Sequence, residues 1–193
     1  MFLIYDTETT GLPRNFEAPV TDLENWPRVI QLAWQLHNAE GNLVEAKEFI
    51  IRPENFTIPY NAAKVHGITT ELALQEGEDL KLVLEQFIDA LNRTKVIVGH
   101  NIDFDLNIIG AEFIRCGFEN YFEGKTQLCT KLESVEYCAL PGGRGGGFKW
   151  PNLVELHQKL FREDFPEAHN AAADVMATTR CFFEMIRLGI ITA

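Results

Sequence analysis

The chain has 193 residues, 46% of them hydrophobic and 23% charged. That is enough apolar material for one packed core and a length that suits one domain, taken as residues 1–193. A net charge of −11 argues against a large phosphate-gripping surface, because that kind of affinity comes from lysine and arginine. It leaves room for a metal centre, where bound divalent ions reverse the local sign. No low-complexity tract or internal repeat interrupts the chain. The apolar start, Met1 to Tyr5, is too short for a signal peptide, and no stretch approaches the ~20 apolar residues that span a bilayer. The four cysteines (Cys116, Cys129, Cys138, Cys181) show no framework spacing, so reduced thiols in a cytoplasmic protein with no membrane association are expected.

In chain order, residues 2–5 form a continuous apolar run, which predicts a strand buried on both faces. Residues 28–37 and 43–51 read as two further strands, joined across Asn38-Ala39-Glu40-Gly41-Asn42 as a hairpin. Helical spacing of Leu80, Val83, Leu84, Phe87, Ile88 and Leu91 predicts an amphipathic helix over 79–92. A fourth strand over 95–98 ends at Gly99, and a helix over 103–116 closes at Gly117. A short fifth strand over 126–130 and a helix precede the glycine-rich stretch 142–147, and helices over 152–161 and 170–188 complete the chain. That order predicts an α/β fold: a central five-stranded mixed sheet flanked by helices, the element order of the ribonuclease H-like fold.

Three polar clusters interrupt this pattern. Asp6 and Glu8 follow the first apolar run at i and i+2, so on an extended segment both carboxylates face one point. Two such anions repel and raise each other's pKa unless a cation lies between them, and hard oxygen ligands suit Mg²⁺ or Mn²⁺. Taken alone, the pair is equally what a solvated strand end looks like. Asp105 is the ligand expected of the second cluster, His100-Asn101-Ile102-Asp103-Phe104-Asp105; Asp103 reads as an N-cap or first-turn acid, and His100 as a hydrogen-bonded structural residue. In the third, His169 precedes the last helix and Asp174 sits on its second turn, on a face shared with Thr178. Histidine titrates near neutral pH and suits a general base for water.

Taken in order, Asp6-Thr7-Glu8-Thr9-Thr10-Gly11, the His100 to Asp105 segment, and His169 with Asp174 resemble the three motifs of the DEDDh 3′-to-5′ exonucleases, the family that contains the epsilon proofreading subunit of bacterial DNA polymerase III. Val65-His66-Gly67-Ile68-Thr69 is a further match, between the third strand and the next helix. The resemblance implies that Asp6, Glu8, Asp105 and Asp174 hold two Mg²⁺ or Mn²⁺ ions roughly 4 Å apart, with Asp6 as the bridge. It implies that His169 takes the proton from an attacking water, and that the product is a nucleoside 5′-monophosphate. The substrate is expected to be the single-stranded 3′ end of DNA, enclosed by Thr9, Thr10, Gly11, Leu12, His66 and Phe104. The expected partner is a DNA polymerase subunit or domain.

Two readings compete with this one. Relatives such as RNase T and oligoribonuclease act on RNA ends by the same chemistry, and a catalytically silent fold would serve as a binding module. Against the second stands the intact set of four acids and one histidine. The chain departs from the epsilon pattern at Gln127-Leu128-Cys129-Thr130, where relatives often carry an Asp-Thr pair. It also carries an insertion over 15–26, whose Phe16, Pro19 and Trp26 suit either a packed flap or a partner contact. In the stretch 142–150, Arg144, Lys149 and Trp150 suit a nucleic-acid contact, although a connector with Trp150 laid over the core fits loop behaviour better.

Overall fold

The strand that opens the chain is longer than its apolar run. The computed structural model describes residues 1–142, 144–163 and 170–192, and in it β1 runs Phe2–Thr9. β2 (Val29–His37) and β3 (Leu43–Ile50) follow, with β2 antiparallel to both β1 and β3. Asp6 and Glu8 therefore lie inside the strand instead of after it, paired in register with Ala33 and Gln31 of β2. An apolar-run reading stops at the first charge, whereas strand pairing continues as long as the neighbour does.

β4 (Val96–Gly99) and β5 (Thr126–Cys129) add parallel strands, giving the order β3-β2-β1-β4-β5. The α/β fold with a five-stranded mixed sheet is as expected. Pairing of β1 with β4 ends at Ile4 opposite Val98, so residues 6–9 of β1 project past β4 with one edge uncovered. The site is built there.

Alternation along β1 and β2 divides the core. Leu3, Tyr5, Leu32, Trp34 and Leu36 face α3 (Leu80–Asn92) and α4 (Ile102–Cys116), where Phe87, Leu91, Ile109 and Phe113 are buried. Ile4, Ala33 and Val98 face α7 (Leu153–Phe161) and α8 (Ala171–Arg187), meeting Leu156, Val175, Phe182 and Met185. The Asp79 side chain caps α3 by accepting from Leu82 N at 3.0 Å. In α7, Asn152 and Glu155 form a capping box. Between β5 and α7 lie α5 (Thr130–Glu133) and α6 (Val135–Cys138). Among the described residues no helix is long and apolar enough to cross a membrane.

The segment Val65 to Thr69, expected between the third strand and the next helix, joins two short helices that the sequence patterns did not indicate, α1 (Tyr60–His66) and α2 (Thr70–Glu76). Gly67 ends α1 in the left-handed conformation at φ 77°, and Thr69 caps α2 by accepting from Leu72 N at 3.2 Å. Each helix has seven residues, too few to show a clear period. Both hold their place through the cluster of Ile30, Ile58, Ile68 and Ala73.

The 15–26 insertion is a packed flap. Trp26 is 3% exposed, with its indole N–H donating to the Pro19 carbonyl at 3.0 Å. The Asn25 side chain accepts from Asn15 N at 2.8 Å and donates to Asn15 O at 2.9 Å. Val20 lies against Gly110 of α4, where an added Cβ would come within 2.9 Å of Val20 Cγ2. Arg115 donates to the carbonyls of Leu23 and Trp26 at 2.6 and 2.7 Å. The flap's root is held by Glu112, whose side chain is fully buried; its Oε1 accepts from Arg28 Nε at 2.8 Å and Val29 N at 3.0 Å and lies 3.2 Å from Arg115. Replacing one partner of such a network strands the others in low dielectric. Glu112→Ala is expected to cost about 3 kcal/mol or more, read as a lower urea midpoint at unchanged slope. A shift under ~1 kcal/mol would show the arginines re-solvate freely.

Candidate active site

Four carboxylates approach the free end of β1 from three elements. Asp6 and Glu8 share the β1 face that turns toward α8, and Asp174, in the first turn of α8, meets them there. One carboxylate oxygen from each of the three lies within 4.8 Å of the others. Asp174 falls in the first turn, not the second, because α8 starts at Ala171. Thr178 is buried on the same helix.

Asp105 arrives from the other direction, in the first turn of α4. Its Oδ1 accepts from Thr7 N at 3.1 Å and from Thr7 Oγ1 at 2.6 Å. That backbone N–H belongs to the stretch of β1 that β4 does not cover, so Asp105 takes the place of the missing strand. The residue is 3% exposed and stands outside the group of three within 4.8 Å. It is near enough to raise the pKa of both Asp6 and Glu8.

The electrostatics follow from burying like charges together. Burial raises Asp6 well above the usual carboxylate range, and Asp105, Asp174 and Glu8 add to the effect. Glu8 is pushed up to about 8 by burial, then by Asp174 and Asp105. Asp105 is raised to about 7 by burial, the two Thr7 hydrogen bonds opposing it and Asp174 reinforcing it. These are hard oxygen donors that destabilise one another as anions, which is the donor chemistry a divalent cation relieves. The residues fit such an ion.

Around the acids, the expected substrate contacts fall at one end of β1. Thr9 Oγ1 donates to Gly11 O at 2.6 Å, and Thr10 Oγ1 accepts from Arg28 N at 3.0 Å, so both hydroxyls hold the turn. Gly11 sits at φ 148°, where other residues are strained, and Leu12 beyond it is 74% exposed. His66 is buried. Its Nδ1 accepts from Ile68 N at 3.1 Å, which leaves the proton on Nε2, an atom without a hydrogen-bond partner among the described residues. Burial holds its pKa below the usual value, against a smaller opposing effect of the Thr9 backbone. Phe104 is half-buried in the first turn of α4. His169 lies outside the described residues.

His100 is half-buried, with Nδ1 3.0 Å from Thr130 Oγ1 and Nε2 3.2 Å from the Pro151 carbonyl. Burial depresses it to about 4; it is neutral and structural, as its sequence position suggests. Asp103 is an exposed first-turn acid and not the cap. Asn101 occupies the cap position of α4 at φ 76°, and its Oδ1 accepts from Lys131.

Two residues that sequence reasoning passed over position the acids. Thr7 is the first, through Asp105. The second is Gln31, 2% exposed: its Oε1 accepts from Ala171 N at 2.9 Å and its Nε2 donates to Glu48 at 2.6 Å. It ties the start of α8, and so Asp174, to the strand that pairs with Glu8. A glutamine set between Ile30 and Leu32 in a mostly apolar strand was the available signal. Gln31→Met keeps the volume and removes the tie; we expect it to weaken divalent-ion affinity about tenfold, at a stability cost of about 1 kcal/mol. A metal titration of thermal stability reads both, and unaltered affinity would remove Gln31 from the positioning role.

Comparison with known proteins places this arrangement. Over 186 residues the chain is 28% identical to the 3′-5′ exonuclease DinG of Bacillus subtilis, an alignment covering 96% of this chain and 17% of that protein. It is 23% identical to human three-prime repair exonuclease 1 over 91% of this chain and 60% of that one. It is 30% identical to the PolC-type DNA polymerase III of Mycoplasmopsis pulmonis over 58% of this chain and 7% of that polymerase. In fold it matches E. coli exonuclease I, solved in complex with a dT13 oligonucleotide, with TM-score 0.75 and 23% identity, over 97% of this chain and 42% of that one. The chain thus spans a fraction of the length of these relatives. Residues 3–182 match the RNase_T exonuclease model, and the chain belongs to that exonuclease family.

Proposed function

We propose that this domain is a DEDDh-type 3′-to-5′ exodeoxyribonuclease that releases nucleoside 5′-monophosphates from single-stranded DNA ends. The observation that carries the reading is the approach of Asp6, Glu8 and Asp174 to within 4.8 Å, with Asp105 raising the pKa of Asp6 and Glu8 from the far side. In this reading Asp6, Glu8, Asp105 and Asp174 hold two Mg²⁺ or Mn²⁺ ions. Such ions, when bound, would supply Lewis acidity at the phosphodiester and make the attacking water more acidic. His169 receives the proton of the attacking water, and Asn170 caps the helix that carries Asp174. Thr9 and Thr10 meet the terminal sugar through their backbone, since their hydroxyls hold the turn; Leu12 presses on the last base, and Phe104 borders it. His66 presents Nε2–H as a donor to the terminal nucleotide.

DNA as substrate is supported by the dT13 and dA16 oligonucleotides in complex with E. coli exonuclease I. The PolC-type relatives support work beside a polymerase. The test uses 5′-labelled single-stranded DNA and a matched RNA oligomer, with Mg²⁺, Mn²⁺ or chelator, alongside Asp174→Ala. A metal-dependent ladder shortening from the 3′ end of DNA, absent in the variant, is expected. Faster loss of RNA would overturn the substrate, and cleavage by the variant would overturn the site.

A further inference from the structure

Beside the acidic site runs a groove that the catalytic residues do not use. It has a volume of about 670 Å³, and its lining includes Phe16 from the flap, Asn101, Asp103 and Phe104 from the start of α4, Lys131 from α5, and Trp150. Phe104 directly precedes Asp105 in α4, so the groove and the carboxylate cluster share the first turn of that helix.

Large aromatic rings exposed singly are ordinary on a protein surface. Here Phe16 is 56% and Trp150 64% exposed, and both rings, from segments far apart in sequence, turn into one cleft. Trp150 does not cover the core, as the connector reading had it. Its ring is instead held from one face by the Lys131 ammonium, 4.6 Å from the ring centroid, which also donates to Asn101 Oδ1. A ring oriented in this way on one face can take a base on the other.

We propose that this groove carries the nucleotides upstream of the 3′ end, with Trp150 and Phe16 as stacking platforms and Lys131 meeting one phosphate. The proposal rests on the exonuclease reading of the neighbouring acids. Charge decides how the strand is gripped. Lys131 is the only lysine or arginine among the described residues lining the groove, set against Glu17 and Asp103. Phosphate neutralisation is therefore a minor part of the affinity, and stacking, which tolerates every base, is the major part. This accounts for strand binding by a chain of net charge −11.

The experiment compares oligo-dT with the p-nitrophenyl ester of thymidine 5′-monophosphate, which presents one nucleotide and does not reach the groove. For Trp150→Ala and for Phe16→Ala, the ratio of kcat/KM on oligo-dT to that on the ester should fall about tenfold, with the loss in KM. Trp150→Phe should restore most of it. The dependence of log KM on log salt should have a slope near 0.7, one phosphate's worth, and flatten in Lys131→Met. An unchanged ratio in both aromatic variants, or a slope several times steeper, overturns the proposal and leaves the groove to a protein partner. Should the native protein hydrolyse neither substrate, the exonuclease reading fails on its own. The groove is then judged by anisotropy of labelled phosphorothioate oligo-dT: weaker binding to Trp150→Ala supports it, and equal binding overturns it.

Discussion

Asp6→Asn should lower turnover on single-stranded DNA by about a thousandfold or more, close to 4 kcal/mol of transition-state stabilisation, while the protein stays folded. Asp6 is the residue on which the other three acids converge: its pKa is raised by burial and then by Asp105, Asp174 and Glu8. Removing that charge takes away a ligand and relieves a repulsion together, so lost activity should come without lost stability. Asp105 provides the sharper case because it has two roles. Asp105→Asn keeps an oxygen for the Thr7 N–H and hydroxyl, which Oδ1 accepts at 3.1 and 2.6 Å, and removes only the charge. Asp105→Ala removes both, leaving a buried backbone donor unpaired at about 1–3 kcal/mol. We expect Asp105→Asn to be folded and inactive and Asp105→Ala to be inactive and less stable. Turnover and urea midpoints for the pair decide it. Near-native turnover in Asp105→Asn would reduce Asp105 to a brace for β1.

Much of this was legible in the chain because the site sits at changes of pattern. Asp6 and Glu8 break an apolar run, while Asp105 and Asp174 each lie in the first turn of a helix; each acid marks a change in the sequence pattern. The sheet was legible too, since β2 and β3 flank a clear turn and α3 shows an apolar face from Val83 to Leu91. What escaped were features that depend on partners. That β1 continues through its acids to Thr9 depends on β2 running alongside. The helices α1 and α2 exist through Ile30 and Ile58, distant in sequence. The support of α8 by Gln31 crosses from residue 31 to residue 171, and no local spacing encodes it. The same holds for Trp150, whose surroundings are set by Lys131 and Asn101.

Crowding four acids has a second consequence, measurable without substrate. In the metal-free protein Glu8 is raised from 4.5 to about 8 and Asp105 from 3.8 to about 7. Between the unfolded and folded values, the native state binds more protons than the unfolded chain. Stability must therefore fall as pH rises through this window, by about 1 kcal/mol per unit for each group that titrates. From pH 5 to pH 8 the melting temperature of chelated protein should drop, the reverse of the usual carboxylate held by a salt bridge. Adding Mn²⁺ or Mg²⁺ should restore it. At a hundred times the dissociation constant the gain is about 2.7 kcal/mol, and it should be larger at pH 8 than at pH 5.5, where protons must first leave. Glu8→Gln separates the two parts: without metal at pH 8 it should melt above the native protein, and with metal it should gain less. A melting temperature that is flat or rising between pH 5 and pH 8 in chelator would mean the acids are already neutralised within the fold. The case for a cation at this site would then lose its electrostatic basis.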